Sequence, residues 1–258
     1  MKLFISYFVI NLKSKLEYKA SFILMIISQF LIVLFEAIGI YFLFQRFGLL
    51  NGYDLYTILL TFSIIYLGYS LSDLFFRGFD QFSKFIVKGN LDILLVRPRN
   101  IYLQILGTEF AIERGSRLIL PIITLVIAIV KGSIILSGMK IITLILAVFG
   151  SFALFAAVSI ISAAFTFKSV EGLEIINILQ HGTRNFGQYP MKIFPKAIFI
   201  VFTFLFPLTS INYFPVRYII GETSSLFDAL SPLLTLIFLL FSIFLFNLGL
   251  KKYHSTGS

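Results

Sequence analysis

Glu36 sits inside an otherwise apolar run and follows Gln29 by seven positions, so the two share one face of a helix. A carboxyl held at lipid depth costs at least a few kcal/mol unless it is paired, protonated or wetted, which makes Glu36 a candidate for a substrate path or a proton relay. The pair reads equally well as an interhelical hydrogen bond that fixes packing. A second polar group lies further along. Glu109, Glu113 and Arg117 recur at i, i+4 and i+8 with Arg114 beside them, and Asp73 precedes Arg77 by four. Glu before Arg at this spacing is the favourable order on a helix. The group is either an interfacial ion-pair ladder or a network that carries movement from a cytoplasmic element into the helices it joins.

Other chemistries lack their residues. Without cysteine there is no disulfide, thiolate metal site or thiol nucleophile, and His181 and His254 alone do not make a histidine-rich metal centre. The chain has no Gly-x-x-x-x-Gly-Lys-Ser/Thr, and the nearest approach, Val130-Lys-Gly-Ser, lacks the phosphate-cradling loop. It is therefore expected to be non-enzymatic, to hold no cofactor or metal and not to hydrolyse ATP by itself through a P-loop.

The elements that carry these residues belong to a membrane. Of 258 residues, 59% are hydrophobic and only 13% charged, including 32 phenylalanines and 12 tyrosines. Soluble domains carry about 25% charged residues, so lipid is the solvent. Spans are expected at about 21–44, 55–76, 101–130, 141–167, 194–211 and 226–248, each close to the roughly 20 apolar residues that cross a bilayer. Residues 1–20 are expected as an amphipathic helix lying in the interface, since Lys13, Lys15 and Lys19 follow too short an apolar run and no small-residue cleavage site is present.

With the N-terminus inside, 17 Lys and Arg fall on the cytoplasmic side and 4 outside, Arg46, Lys131, Lys140 and Arg217. That bias fixes the orientation and places both termini in the cytoplasm. The net charge of +9 is thus spent on topology rather than on nucleic acid. The fold class is an all-α polytopic membrane protein, one membrane domain over 1–258, with no internal repeat.

Two cytoplasmic stretches remain. In Arg77–Asn100, Phe79, Phe82, Phe85 and Ile86 recur at helical spacing before Gly89-Asn90, and in Lys168–Lys192 so do Leu173, Ile176 and Leu179. Each short amphipathic helix either rests on the inner leaflet or docks a partner. Gly150, Ala153, Ala157 and Ala164 line one side of the fourth span, as helix packing in lipid favours. Pro207 and Pro215 break or kink the outer end of the fifth, a simple bend or an outer gate.

Four segments carry a resemblance: Lys88-Gly-Asn-Leu-Asp-Ile-Leu-Leu-Val-Arg-Pro, Gly187-Gln-Tyr-Pro-Met-Lys-Ile-Phe-Pro, Phe206-Pro through Asn212-Tyr-Phe-Pro, and the ending from Gly249. Together the chain resembles the permease subunits of type-2 ABC exporters, in particular a bacterial subfamily of six-span permeases of this length that work as unlike pairs beside an ATPase. Where that family starts the loop after span four with a tryptophan, this chain has Phe165-Thr-Phe-Lys.

The resemblance implies that Phe79–Asp92 forms a coupling helix seated in a groove of a cytosolic ABC ATPase, with Leu173 and Ile176 on the second such helix. It further implies short re-entrant pieces in Asn212–Ser224, a second permease as partner (unlike, or a second copy), ATP bound by the ATPase, and a place in the bacterial cytoplasmic membrane. The alternative expectation is a proton-coupled transporter or channel working through Glu36.

Overall fold

The computed structural model describes residues 2–168 and 182–253, and among them the regular structure is helical. Helix α1 (Lys2–Leu16) is followed after a two-residue turn by α2 (Lys19–Phe47), which is long enough and apolar enough to cross a bilayer. The helix expected in the interface is thus followed directly by a helix able to span. Three further stretches meet the same criterion: α3 (Leu55–Phe75), α9 (Gly138–Thr166), and Leu226–Lys251, which contains α13 (Leu226–Leu230) and α14 (Leu234–Lys251). Asp54 starts α3 by accepting the Thr57 amide at 3.0 Å, satisfying one of the free donors of a helix N-terminus.

Two expected spans are not single helices. Residues 101–130 divide into α7 (Ile101–Thr108), an extended stretch, a 3-10 helix (Ile112–Leu118) and α8 (Ile119–Lys131). Pro121 in the first turn of α8 provides no amide, so regular α geometry is not propagated backwards from it. The extended stretch is held instead by tertiary bonds, the Ala111 amide donating to the Leu74 carbonyl at 3.2 Å. Taken at about 2.0 and 1.5 Å per residue, the 3-10 helix and α8 together are about 33 Å long, close to a hydrocarbon thickness.

The second exception is 194–211. Helix α10 (Lys196–Phe204) meets α11 (Thr209–Asn212) and α12 (Phe214–Ile220) at a bend of 97° across Pro207. Short helices are therefore present over 209–220, overlapping the stretch Asn212–Ser224, and Pro215, buried in the first turn of α12, starts one of them.

Helix α9 is the hub, packed on α3 and α14. Its small-residue side is used for close packing: Gly150 faces Pro232 and Ile211, and Ala153 and Ala157 are buried. Against α3 the approach is closer still, because a Cβ on Gly68 would stand 2.3 Å from the Ser151 side chain. The apolar interior divides into two clusters. The larger joins α2, α3, α8, α9 and the bent pair around Phe62, Tyr66, Phe155 and Leu208. The smaller surrounds Phe79, Phe82, Leu91, Ile105, Ile160 and Phe246.

Candidate coupling module and intramembrane charge network

The smaller cluster belongs to a compact module that begins where α3 ends: α4 (Arg77–Asp80), α5 (Phe82–Val87), α6 (Asn90–Val96) and α7. Asn100 opens α7 by accepting the amides of Tyr102 and Leu103. Gln104 then donates back to the carbonyls of Leu94 and Arg99 at 3.0 and 3.1 Å, closing the module on itself. Phe82 lies edge-on to Phe167 and Phe246, Phe79 to Phe246, and the Tyr102 hydroxyl donates to Asn247 at 2.9 Å. The module is fastened by these rings to the ends of α9 and α14.

The two rings expected on the coupling face lie inside this packing. Phe79 and Phe82 do not face a partner: they are 1% and 0% exposed and point into the chain, while Phe85 and Ile86 are half-buried against the same cluster. An amphipathic stripe shows that a face is covered, and here the spans cover it. What the module turns outward is Val87, Ile93, Leu95 and Val96, with Lys84, Lys88 and Arg97 among them. A cavity of about 340 Å³ lies beside this face, lined by Tyr7, Phe85, Asn90, Ile93 and Arg97 among others. Asp92 stands against Tyr253, whose hydroxyl is raised above its usual pKa by burial and by that carboxylate. Leu173 and Ile176 lie outside the described residues.

Asp80 is the module's own titratable group. Burial, reinforced by the charge of Asp73, pushes its carboxyl up to about 6, although Ser159 and Arg77 act in the opposite direction. Arg77 reaches Asp80 at 3.8 Å and Glu109 at 3.7 Å.

The charge network lies next to the module. Asp73, 3% exposed near the end of α3, accepts from Arg114 and, at 2.8 Å, from Arg117. Arg117 also donates to Gln29, and Glu113 pairs with Lys15 of α1. The expected ladder along one helix is therefore not formed. In an extended and then 3-10 backbone, residues four apart no longer stack, and each charge finds a partner on another element. Asp73 likewise pairs with Arg114 and Arg117 rather than with Arg77.

Glu36 is reached by Arg184 at 3.4 Å and by the Gln188 amide at 3.2 Å. Gln29 and Glu36 share a face of α2 but are held by different arginines, and both guanidinium groups lie against the ring of Tyr69 at 5.8 and 5.3 Å. The segment that supplies Arg184 and Gln188 was expected in a cytoplasmic loop. It packs instead against the middle of α3, with Gly187 beside Ile65 and its carbonyl accepting from Asn212 at 3.3 Å. No sequence pattern points to this pairing, because Gln188 is 152 residues from Glu36.

At the other end of the molecule, Arg217 in α12 pairs with Glu222 at 3.4 Å and Asp228 at 3.8 Å, and lies over the Tyr213 ring. Tyr53 is buried beside them, its hydroxyl pushed up to about 12 by burial and then by Glu222.

A module fastened to two spans, an ion network beside it that reaches a third, and a bent helix pair are thus brought together in one membrane chain. No curated protein and no solved structure matches the chain. A family profile described as ABC-2 family transporter protein matches residues 30–257, which include every spanning helix but the first turns of α2. This chain therefore belongs to the ABC-2 transporter family, as a multi-pass membrane subunit of an ABC transporter in the cytoplasmic membrane.

Proposed function

We propose that the chain is the permease subunit of an exporter driven by separate ABC ATPase subunits, and that it encloses the substrate path with a second permease. The observation that carries this reading is the outward face of the 77–108 module. Val87, Ile93 and Val96 are 67%, 54% and 85% exposed on a body whose opposite face is buried in α9 and α14. Exposed apolar side chains ringed by Lys84, Lys88 and Arg97 suit a protein partner.

Closure of the ATPase on ATP pushes this face. The push passes through Phe82 and Phe246 into α9 and α14, and through the Arg77–Glu109 pair and the neighbouring Arg114 and Arg117, which hold Asp73 and Gln29, into α3 and α2. The pair of permeases then shifts from inward-open to outward-open by a change of population, with the bend at Pro207 and the helix begun by Pro215 as the outer gate. The exposed side of α2, where Leu24, Phe35 and Phe42 lie, offers a surface for the second permease, an unlike chain in preference to a second copy. An amphipathic or hydrophobic substrate fits the aromatic interior.

A proton-coupled mechanism through Glu36 receives no support from the geometry, since that carboxylate is held by Arg184 and Gln188. Purification from native membranes tests the proposal. An ATPase subunit should copurify, and substrate movement in vesicles should require ATP. Transport driven by a proton gradient alone, with no ATPase present, would refute it.

A further inference from the structure

The break between α7 and the 3-10 helix is where the module joins the spans, and its partner is α1. Phe4, Phe8, Asn11 and Lys15 recur along one side of that helix, with Tyr7 adjacent. Phe4 and Phe8 close on Phe110, a fully buried residue of the extended stretch, at 5.2 and 5.4 Å. The Asn11 side chain spans the break: its amide donates to the Gly107 carbonyl at 3.3 Å, and its carbonyl accepts the Phe110 amide at 3.4 Å. A third bond, to the Tyr7 carbonyl at 3.0 Å, fixes the side chain on its own helix. Tyr7 lies so close to Gly107 that a Cβ there would stand 2.4 Å from the ring. Lys15 pairs with Glu113 just beyond the break.

The opposite side of α1 presents Ile5 and Ile10, 54% and 62% exposed, as expected of a helix in the interface. Floating on the membrane requires only that side. A carboxamide that satisfies a carbonyl in the last turn before a helix break and an amide just after it has a different use, because these are among the backbone groups that a break leaves without helical partners.

We propose that Asn11 is a positioning residue that clasps the broken third segment, so that α1 moves as one body with the 77–108 module and transmits its displacement into α8. For its transport readout the proposal rests on the ATP-driven reading above; the clasp itself does not.

The test compares wild type, Asn11→Leu and Asn11→Asp in the complete complex with its ATPase, reading hydrogen exchange at the Phe110 amide and ATP consumed per substrate moved. Asn11→Leu keeps a similar size and a helix propensity at least as high, but removes all three bonds. Exchange at Phe110 should rise about tenfold, and the ATP cost per transported substrate should rise at least about threefold. Asn11→Asp, which still accepts the Phe110 amide, should fall between the two. Gly107→Ala, which leaves Asn11 intact and displaces Tyr7, should reproduce both changes.

Unchanged exchange in Asn11→Leu overturns the clasp. Faster exchange with an unchanged ATP ratio reduces Asn11 to a structural bond and overturns the positioning role. If no ATPase copurifies, the proposed function falls, while exchange at Phe110 in the isolated chain still decides for or against the clasp.

Discussion

Helices α2 and α3 are both long enough to cross the bilayer, yet they lead opposite lives in the fold. Helix α2, which contains the more apolar membrane-length stretch, buries only Val33, Ile40 and Phe44 and turns most of its surface outward. Helix α3 is buried almost without interruption from Thr57 to Asp73 and carries Thr61, Ser63, Gly68, Ser70 and Ser72 inside. In water the order would be reversed. In lipid a uniformly apolar helix gains nothing by leaving the exterior, whereas small and polar residues allow close approach and hydrogen bonds between helices. Ser63 of α3 meets Thr124 of α8 at 2.8 Å, and the Ser151 hydroxyl of α9 donates to the Ile65 carbonyl at 3.3 Å. The polar residues of α3 are its packing surface, and Asp73 at its end extends that surface into the charge network.

Substitutions on the two helices should therefore differ sharply in cost. The largest effect is expected at Asp73. Asp73→Ala leaves Arg114 and Arg117 without their carboxylate and should cost about 3–5 kcal/mol, seen as loss of folded protein in mild detergent. Gly68→Leu follows at about 3 kcal/mol, because the new side chain must displace Ser151 and the Phe152 backbone, and thermal unfolding should record it.

Just beyond α3, Asp80 gives the comparison a pH dependence. Its folded pKa is about 6 against an ordinary 3.8, so between these values the folded state keeps a proton that the unfolded state has lost. Raising the pH through this window should remove up to about 3 kcal/mol of stability, and acidification towards pH 4 should restore it. Melting curves of wild type and Asp80→Asn across the window check this, since the variant should lose the slope. The smallest effect belongs to α2. Phe35, 65% exposed, should tolerate Phe35→Ala within about 0.5 kcal/mol in the isolated chain. A large loss in the isolated chain would mean that Phe35 packs against its own chain, and the contrast with α3 would fail.

The same contrast explains what could be read from residues alone. Spans expected at 55–76 and 141–167 are matched closely by α3 and α9, because hydropathy reports insertion directly. Hydropathy does not report which insert is central. The orientation of Phe79 and Phe82 was equally illegible, since their spacing marks one covered face without naming the cover, and the cover is Phe246 and Phe167, far along the chain.

The break after Thr108 carries no proline. It depends on Asn11 and Leu74, whose bonds to the extended stretch replace the helical ones. Glu36 and Gln29 could be singled out as polar groups within an apolar span, but Arg184 and Gln188 could not, because their segment has the composition of a loop and only tertiary packing brings it beside α3. Where an element depends on its own periodicity the residues announce it; where it depends on a distant partner they do not.

The central claim is that the exposed face of the 77–108 module receives the movement of an ABC ATPase. A photo-crosslinking side chain placed at Val96, and at Phe82 as a buried control, tests it in native membranes. Irradiation should join Val96 to a polypeptide that carries the Gly-x-x-x-x-Gly-Lys-Ser/Thr loop this chain lacks, and should leave Phe82 joined only to its own chain. Crosslinks from Val96 to lipid alone, with no such polypeptide, would contradict the account.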